Sequence, residues 1–367
     1  MRHTEICIDY TALQHNLQRV RQLAPTSQVV AMVKANAYGH GVENVLDAFH
    51  DADVFGVACL QEALQIRQLG CNKPITLIEG VFSVEEMPIA LANKCECMVH
   101  QQQQIDWLLQ YKAQYQQANL KVWLKINTGM NRLGFKIQTA DDIDAIVQPL
   151  LQAGFKCVIT MHFANADELQ HPLNQQQIQL FKAIQNKYPE LQYSCCNSAA
   201  IYNWADLHAD YVRPGIMLYG ASPFADKSCH DLGLKAVMHF NSQIMQIFQV
   251  NAGESIGYAS SFVADKTMTV AVVAVGYGDG YPRAYQQDNF VNIAGHQVKI
   301  IGRISMDMIT IDITDIANEV KIGDTVQLWG DKINVDDVAQ AYQTIAYELL
   351  CRITTRPMRK IINKSTQ

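Results

Sequence analysis

Residues 29–41 read VVAMVKANAYGHG. From Val29 to Val33 the run is unbroken apolar sequence, as expected of a parallel strand buried on both faces. Lys34 closes it, and a small polar turn punctuated by Gly39 and Gly41 follows. Burying an ammonium at the end of an apolar strand is costly. A chain that drives a lysine there has a use for the amine.

Seven further stretches repeat the strand pattern: VFGVA (54–58), ITLIEG (75–80), ECMVH (96–100), KVWLKIN (121–127), CVITMHF (157–163), YSCCNS (193–198) and YVRPGIMLYG (211–220). Helical patterns lie between them. Ahead of the first strand, Thr11 and Gln14 have capping-box spacing, and Leu13, Leu17, Val20 and Ala24 share one face until Pro25. Ahead of the sixth, Ile143, Ile146, Val147, Leu150 and Leu151 repeat at helical spacing, with Gly154 where a C-cap belongs. Eight alternations of strand and helix predict a (β/α)₈ barrel over 1–235, with a doubly wound sheet as the alternative. After residue 235 the period changes. Strands are expected in MTVAVVAVGYGDGY, HQVKIIGRISMDMITIDI and DTVQLWG, with one helix near 336–351, as a mostly β domain over 236–367.

The chain has 367 residues, 17% of them charged, and a formal net charge of −6. That balance argues against nucleic acid or an anionic membrane as partner, since both want a basic patch. No apolar run approaches the roughly 18 residues of a membrane span. The opening MRHTEICIDY has no apolar core for export, so a cytoplasmic protein is expected. Ten scattered cysteines without a CxxC read as reduced thiols, with no disulfide framework and no metal site.

A barrel works at the C-terminal ends of its strands, often with a phosphate site after the last two. Lys34 ends the first strand, Arg132 follows the fifth and His162 ends the sixth. Asn197 and Ser198 end the seventh and open a helix, while Arg213, Gly215 and Ile216 are placed in the eighth. Singly, each has an ordinary reading: a snorkelling lysine, an N-cap, an ion-paired arginine, a core imidazole. Together at one mouth they suggest pyridoxal phosphate, which wants a lysine for covalent attachment, a phosphate anchor and a partner for its ring nitrogen.

The segments VVAMVKANAYGHG, NTGMNRLGF, MHFANAD, NSAA, YVRPGIMLYG, IGYASSF, VGYGDGYPR and GRISMDM, in this order, resemble the alanine racemase family across nearly the whole chain. The resemblance implies a homodimer, each subunit a pyridoxal-phosphate barrel followed by a β domain. It implies racemisation of alanine, to supply D-alanine for peptidoglycan or to degrade it. Lys34 then resembles the cofactor lysine and one catalytic base, and Tyr258, from the partner subunit, the opposing base. Arg213 resembles the arginine on the ring nitrogen, and His162 the imidazole linking it towards Tyr258. Tyr38, Ser198, Gly215 and Ile216 match phosphate-binding positions, with Asn197 beside them. Arg132 resembles the residue on the cofactor's phenolic oxygen and the substrate carboxylate. Met306 resembles a backbone donor to that carboxylate, and Tyr277 a tyrosine at the entrance. Lys125 matches a lysine that carries a carbamate in many members and orients the arginine; pairing with an acidic neighbour is its other reading. Thr355 stands near where some members place a phosphate tyrosine, and Ser305 replaces a common cysteine.

Physical chemistry agrees with these roles. Racemisation removes a proton from one face of Cα and returns one to the other, which two bases do simply. A phenol in water holds its proton at neutral pH, so Tyr258 needs the positive neighbourhood that His162 and Arg213 supply. An arginine is always protonated; on the ring nitrogen it weakens the cofactor as an electron sink and favours quick reprotonation. A decarboxylase of the same barrel would place an acid there. That enzyme, and a racemase of serine, lysine or arginine, are the alternatives.

Overall fold

The computed structural model describes residues 2–284 and 289–364. The chain divides into two compact units: Leu17–Ala37 with Phe49–Leu218, and Met1–Asn16 with Tyr38–Ala48 and Tyr219–Gln367.

Eight parallel strands of the first unit form its barrel: β1 (Gln28–Met32), β2 (Val54–Val57), β3 (Ile75–Leu77), β4 (Cys95–Val99), β5 (Lys121–Asn127), β6 (Lys156–Thr160), β7 (Gln192–Ser194) and β8 (Tyr211–Val212). Each pairs with its neighbour in chain order, and β8 pairs back onto β1 with Val212 opposite Val29, which closes the barrel. Val29, Val30 and Ala31 are wholly buried, as a strand covered on both faces requires.

The strands stop short of the apolar runs that encode them. β1 ends at Met32, and Lys34 lies beyond it. His162 lies past the end of β6 rather than at its last residue. β8 ends at Val212, so Arg213, Gly215 and Ile216 are not strand residues, contrary to expectation. Pro214 has no N–H to give a ladder, and Ile216 opens a 3₁₀ turn, Ile216–Tyr219. The helix before β1, α1 (Tyr10–Leu23), is capped by Asp9 and not by Thr11. Asp9 Oδ1 accepts the Ala12 N–H at 2.9 Å and the Thr11 hydroxyl at 2.8 Å. Its predicted face is right, with Leu13, Leu17, Val20 and Ala24 buried.

The second unit is built on strands β9 (Met238–Val250), β10 (Met268–Val273), β11 (Phe290–Ile293), β12 (His296–Ile301), β13 (Ile309–Asp312), β14 (Thr325–Trp329) and β15 (Met358–Ile362). The sheet runs β10-β13-β12-β11-β14-β9, and β9 also pairs β10, so these strands close on themselves. Beyond β9 the sheet continues through the N-terminal strand Glu5–Asp9 to β15. The Glu5–Asp9 strand runs parallel to β15 and antiparallel to β9. Inside, Phe240 meets Trp329 edge-on at 4.8 Å. The single helix expected near 336–351 is two, α2 (Val335–Ala341) and α3 (Ala346–Cys351). Between them Gln343 turns left-handed (φ 53°), and the Thr344 N–H reaches back to Ala339 O at 2.9 Å, a Schellman-type stop.

Candidate active site

Immediately after Lys34 the backbone turns left-handed. Ala35 (φ 52°, ψ 49°), Asn36 (φ 52°, ψ 51°) and Ala37 (φ 53°, ψ 52°) form a left-handed turn that Tyr38 (φ 52°) continues. For L-residues this costs about 1–2 kcal/mol each, and such strain persists only where the surroundings impose it. Glu62 supplies one restraint: its Oε1 accepts the Ala35 N–H and its Oε2 the Ala58 N–H, both at 2.7 Å. The Ala37 N–H closes the turn on Val33 O at 2.9 Å. Lys34 is thus fixed at the start of a braced turn, half-buried.

Around that lysine the first unit gathers cations. Lys125, within β5, is buried, and burial pushes its amine well below the ordinary lysine range, with Arg213 and then Arg132 adding to the effect. The His162 imidazole is likewise held well below its usual range by burial, then by Lys125, Arg213, Arg132 and Lys34 in that order. Burial dominates both shifts, and the charged groups that act on Lys125 are Arg213 and Arg132. The sequence reading that paired Lys125 with an acid is therefore not met among the described residues, and its charged neighbours are arginines.

Arg213 is buried and almost fully spoken for. Its Nη1 donates to Ser194 Oγ at 2.5 Å, and its Nη2 to Met161 O at 2.6 Å, His162 Nδ1 at 3.4 Å and Cys195 O at 3.5 Å. Among the described residues no acceptor takes its Nε. Gln177 braces the neighbouring loop, donating to His162 O at 3.0 Å and to Thr128 Oγ1 at 2.8 Å.

Asn197 caps the short helix Ser198–Asn203, accepting the Ala200 N–H at 3.0 Å. The Gly215 N–H donates to Ser198 Oγ at 2.9 Å, which ties this helix start to the start of the 3₁₀ turn at Ile216. First-turn N–H groups have no partner within their own helix, so two sets of backbone donors lie side by side where barrels hold phosphate.

The remaining predicted residues lie in the second unit. Tyr38 is buried and stacks on Tyr219 at 4.8 Å, and burial pushes its phenol well up. Tyr258 opens a 3₁₀ turn and is 68% exposed; Met306 is 53% exposed. The Tyr277 N–H donates to Ser305 O at 3.1 Å, which brings two of the predicted segments together. Thr355 is exposed, and the Ser305 hydroxyl donates to Met308 O at 2.8 Å. Glu62, Ser194 and Gln177 escape sequence reading. Ser194 lies inside the quoted YSCCNS stretch, while Glu62 and Gln177 carry no local signal.

The barrel-mouth residues fit pyridoxal phosphate. A lysine, a braced guanidinium with a spare Nε and paired orphan N–H donors are the parts that cofactor requires.

Comparison with known proteins bears on the same residues. The family described as "Alanine racemase, N-terminal domain" matches residues 8–223, and "Alanine racemase, C-terminal domain" matches 237–361. An alanine racemase of Legionella pneumophila (strain Corby) is 46% identical over 97% of this chain and 98% of its own. The solved alanine racemase of Acinetobacter baumannii superposes with a TM-score of 0.95 at 55% identity, covering 98% of this chain and 100% of that one. That of Bartonella henselae, determined with covalently bound pyridoxal phosphate, gives 0.86 at 29% identity over 99% and 100% of the two chains. The chain belongs to the alanine racemase family.

Proposed function

We propose that this protein is an alanine racemase, interconverting L- and D-alanine with pyridoxal phosphate by a two-base mechanism. The observation that carries the reading is the buried Arg213 guanidinium, held by Ser194 Oγ, Met161 O and His162 Nδ1, with no acceptor on its Nε among the described residues. When bound, the cofactor supplies the electron withdrawal that makes the substrate Cα–H acidic.

This chain's residues do the rest. Lys34 would hold the cofactor, and its amine would exchange a proton with one face of the substrate Cα. Tyr258 exchanges a proton with the other. Arg213, its Nε without an acceptor among the described residues, would face the cofactor's ring nitrogen, and a guanidinium there would leave that nitrogen without a proton of its own. His162, neutral and bonded to Arg213, links it towards Tyr258 without the positive charge that the sequence reading expected of it. Ser198, Gly215, Ile216, Tyr38 and Asn197 hold the phosphate. Arg132 and the Met306 N–H bind the substrate carboxylate, and Tyr277 lines the entrance. The Lys125 amine, which burial holds below the ordinary lysine range, would add carbon dioxide with release of a proton to solvent, and the carbamate anion would brace Arg132.

In this reading the barrel spans 1–235, and the β domain, 236–367, gives Tyr258 and Met306 to the partner of a homodimer. Exposed apolar side chains on the second unit support a covered face: Met245 and Met308 line a groove of about 360 Å³. In this reading the protein works in the cytoplasm and either supplies D-alanine for peptidoglycan or degrades it.

The test incubates the purified protein and cofactor with L-alanine, L-serine, L-lysine and L-arginine and resolves the products by chiral chromatography. D-alanine as the dominant product supports the proposal. Larger D-amino acids at comparable rates make it a broad-range racemase, and carbon dioxide without a D-enantiomer makes it a decarboxylase.

A further inference from the structure

Asp279 is an unusual carboxylate: its side chain is wholly buried and yet carries two arginines. Arg2 forks onto it, Nη1 to Oδ1 and Nη2 to Oδ2, both at 2.7 Å. Arg356 Nε donates to Oδ1 at 2.6 Å, and the Gly276 N–H to Oδ2 at 2.9 Å. Both arginines then reach on to one loop. Arg356 Nη1 meets Asp307 Oδ1 at 2.5 Å and its Nη2 meets Met306 O at 3.0 Å, while Arg2 Nη2 meets Asp307 O at 2.9 Å.

The consequence falls on one peptide group. Met306 O is held by Arg356 and by the Gly278 N–H at 2.9 Å, and Ser305 O is held by the Tyr277 N–H at 3.1 Å. In a trans peptide the C=O and N–H point opposite ways. Pinning Ser305 O against Tyr277 therefore aims the Met306 N–H away from it, and among the described residues that N–H has no acceptor. The approach leaves no slack: a Cβ on Gly276 would lie 2.2 Å from Ser305 O, and one on Gly278 2.7 Å from Arg356 Nη2.

We infer that Asp279, acting through Arg2 and Arg356, is the positioning residue that aims the Met306 N–H at the substrate carboxylate and so sets the enzyme's affinity for small carboxylates. The inference rests on the racemase reading and adds residues that touch neither cofactor nor substrate. Charge-assisted bonds hold the loop because they are short and directional, and a guanidinium can serve Asp279, Asp307 and Met306 O at once where an ammonium cannot.

The experiment compares the full-length holoenzyme with Arg356→Gln, Arg356→Lys and Asp279→Asn. It measures KM and kcat for alanine, the inhibition constant of propionate, the cofactor absorbance and the melting temperature. Arg356→Gln is expected to raise KM and the propionate constant together by roughly ten-fold, with a smaller change in kcat and the absorbance retained. Arg356→Lys should recover only part of the loss. A lowered melting temperature with both constants unchanged gives the hub a purely structural role and overturns the inference. Should Asp279→Asn fail to fold, the two Arg356 variants, at a more exposed side chain, decide. A parent enzyme without alanine turnover overturns the racemase reading and this inference with it, whereas turnover with indifferent variants overturns this inference alone.

Discussion

Arg213 donates through Nη2 to His162 Nδ1 at 3.4 Å. A guanidinium can only donate, so Nδ1 is an acceptor and the ring proton of His162 sits on Nε2. The imidazole is therefore neutral, in agreement with the downward shift that burial and the neighbouring basic side chains impose on it.

A neutral histidine in the native state has a stability signature. The unfolded chain takes up a proton near pH 6.5, whereas native His162 refuses it until well below. Between those two values the unfolded state binds more protons. Stability contributed by His162 is thus complete above pH 6.5 and falls as pH drops below it, by up to about 1.4 kcal/mol per pH unit. Urea titrations at pH 7.5 and 5.5 should show His162→Gln losing less stability on acidification than the parent. Equal losses would mean that the native imidazole takes up its proton as readily as the unfolded one.

Lys125 lies in the same field. Burial holds its amine well below the ordinary lysine range, with Arg213 and Arg132 adding to the effect, and the proposed mechanism would place a carbamate there. With ¹³C-bicarbonate the protein should show a carbamate carbon signal that Lys125→Ala lacks. The same variant should lose about ten-fold or more in kcat/KM as Arg132 loses its brace. A parent protein that takes up no label leaves Lys125 an uncharged lysine and removes this part of the mechanism.

The left-handed turn at Ala35 offers a test free of packing effects, because Ala35 is exposed. Left-handed backbone tolerates glycine and penalises β-branched side chains. Ala35→Val should therefore be less stable than Ala35→Gly by about 1–2 kcal/mol, read from chemical unfolding. Indistinguishable variants would argue that the turn relaxes in solution.

The barrel is legible in the sequence because short, mostly apolar runs such as Val54–Val57 alternate with helical patterns, the form that burial on both faces selects. Strand ends are less legible. Val33 and Lys34 extend the apolar-strand pattern, yet Ala35, Asn36, Ala37 and Tyr38 turn left-handed without a glycine among them. Nothing local marks such a turn when Glu62 and the rest of the fold impose it. Asp9 outcompetes Thr11 as cap because it already ends a strand, and that strand's partners lie at opposite ends of the second unit, around Asn241 and Met358.

The candidate site divides in the same way. Lys34, Arg132, His162 and Arg213 can be found from their places after successive strands, since topology alone brings strand ends to one mouth. Tyr38, Tyr258, Tyr277 and Met306 come only from the family resemblance. The Asp279 hub is invisible in the chain order, because residues 2, 279, 307 and 356 meet only through tertiary folding.

The most direct test of the account follows alanine racemisation in D₂O at early conversion, by mass and chirality together. Two bases that each exchange with solvent before returning a proton predict that D-alanine formed from L-alanine carries one deuterium at Cα from the first turnovers. Early D-alanine that keeps its original protium would show one group carrying the same proton from face to face, and would contradict the pairing of Lys34 with Tyr258.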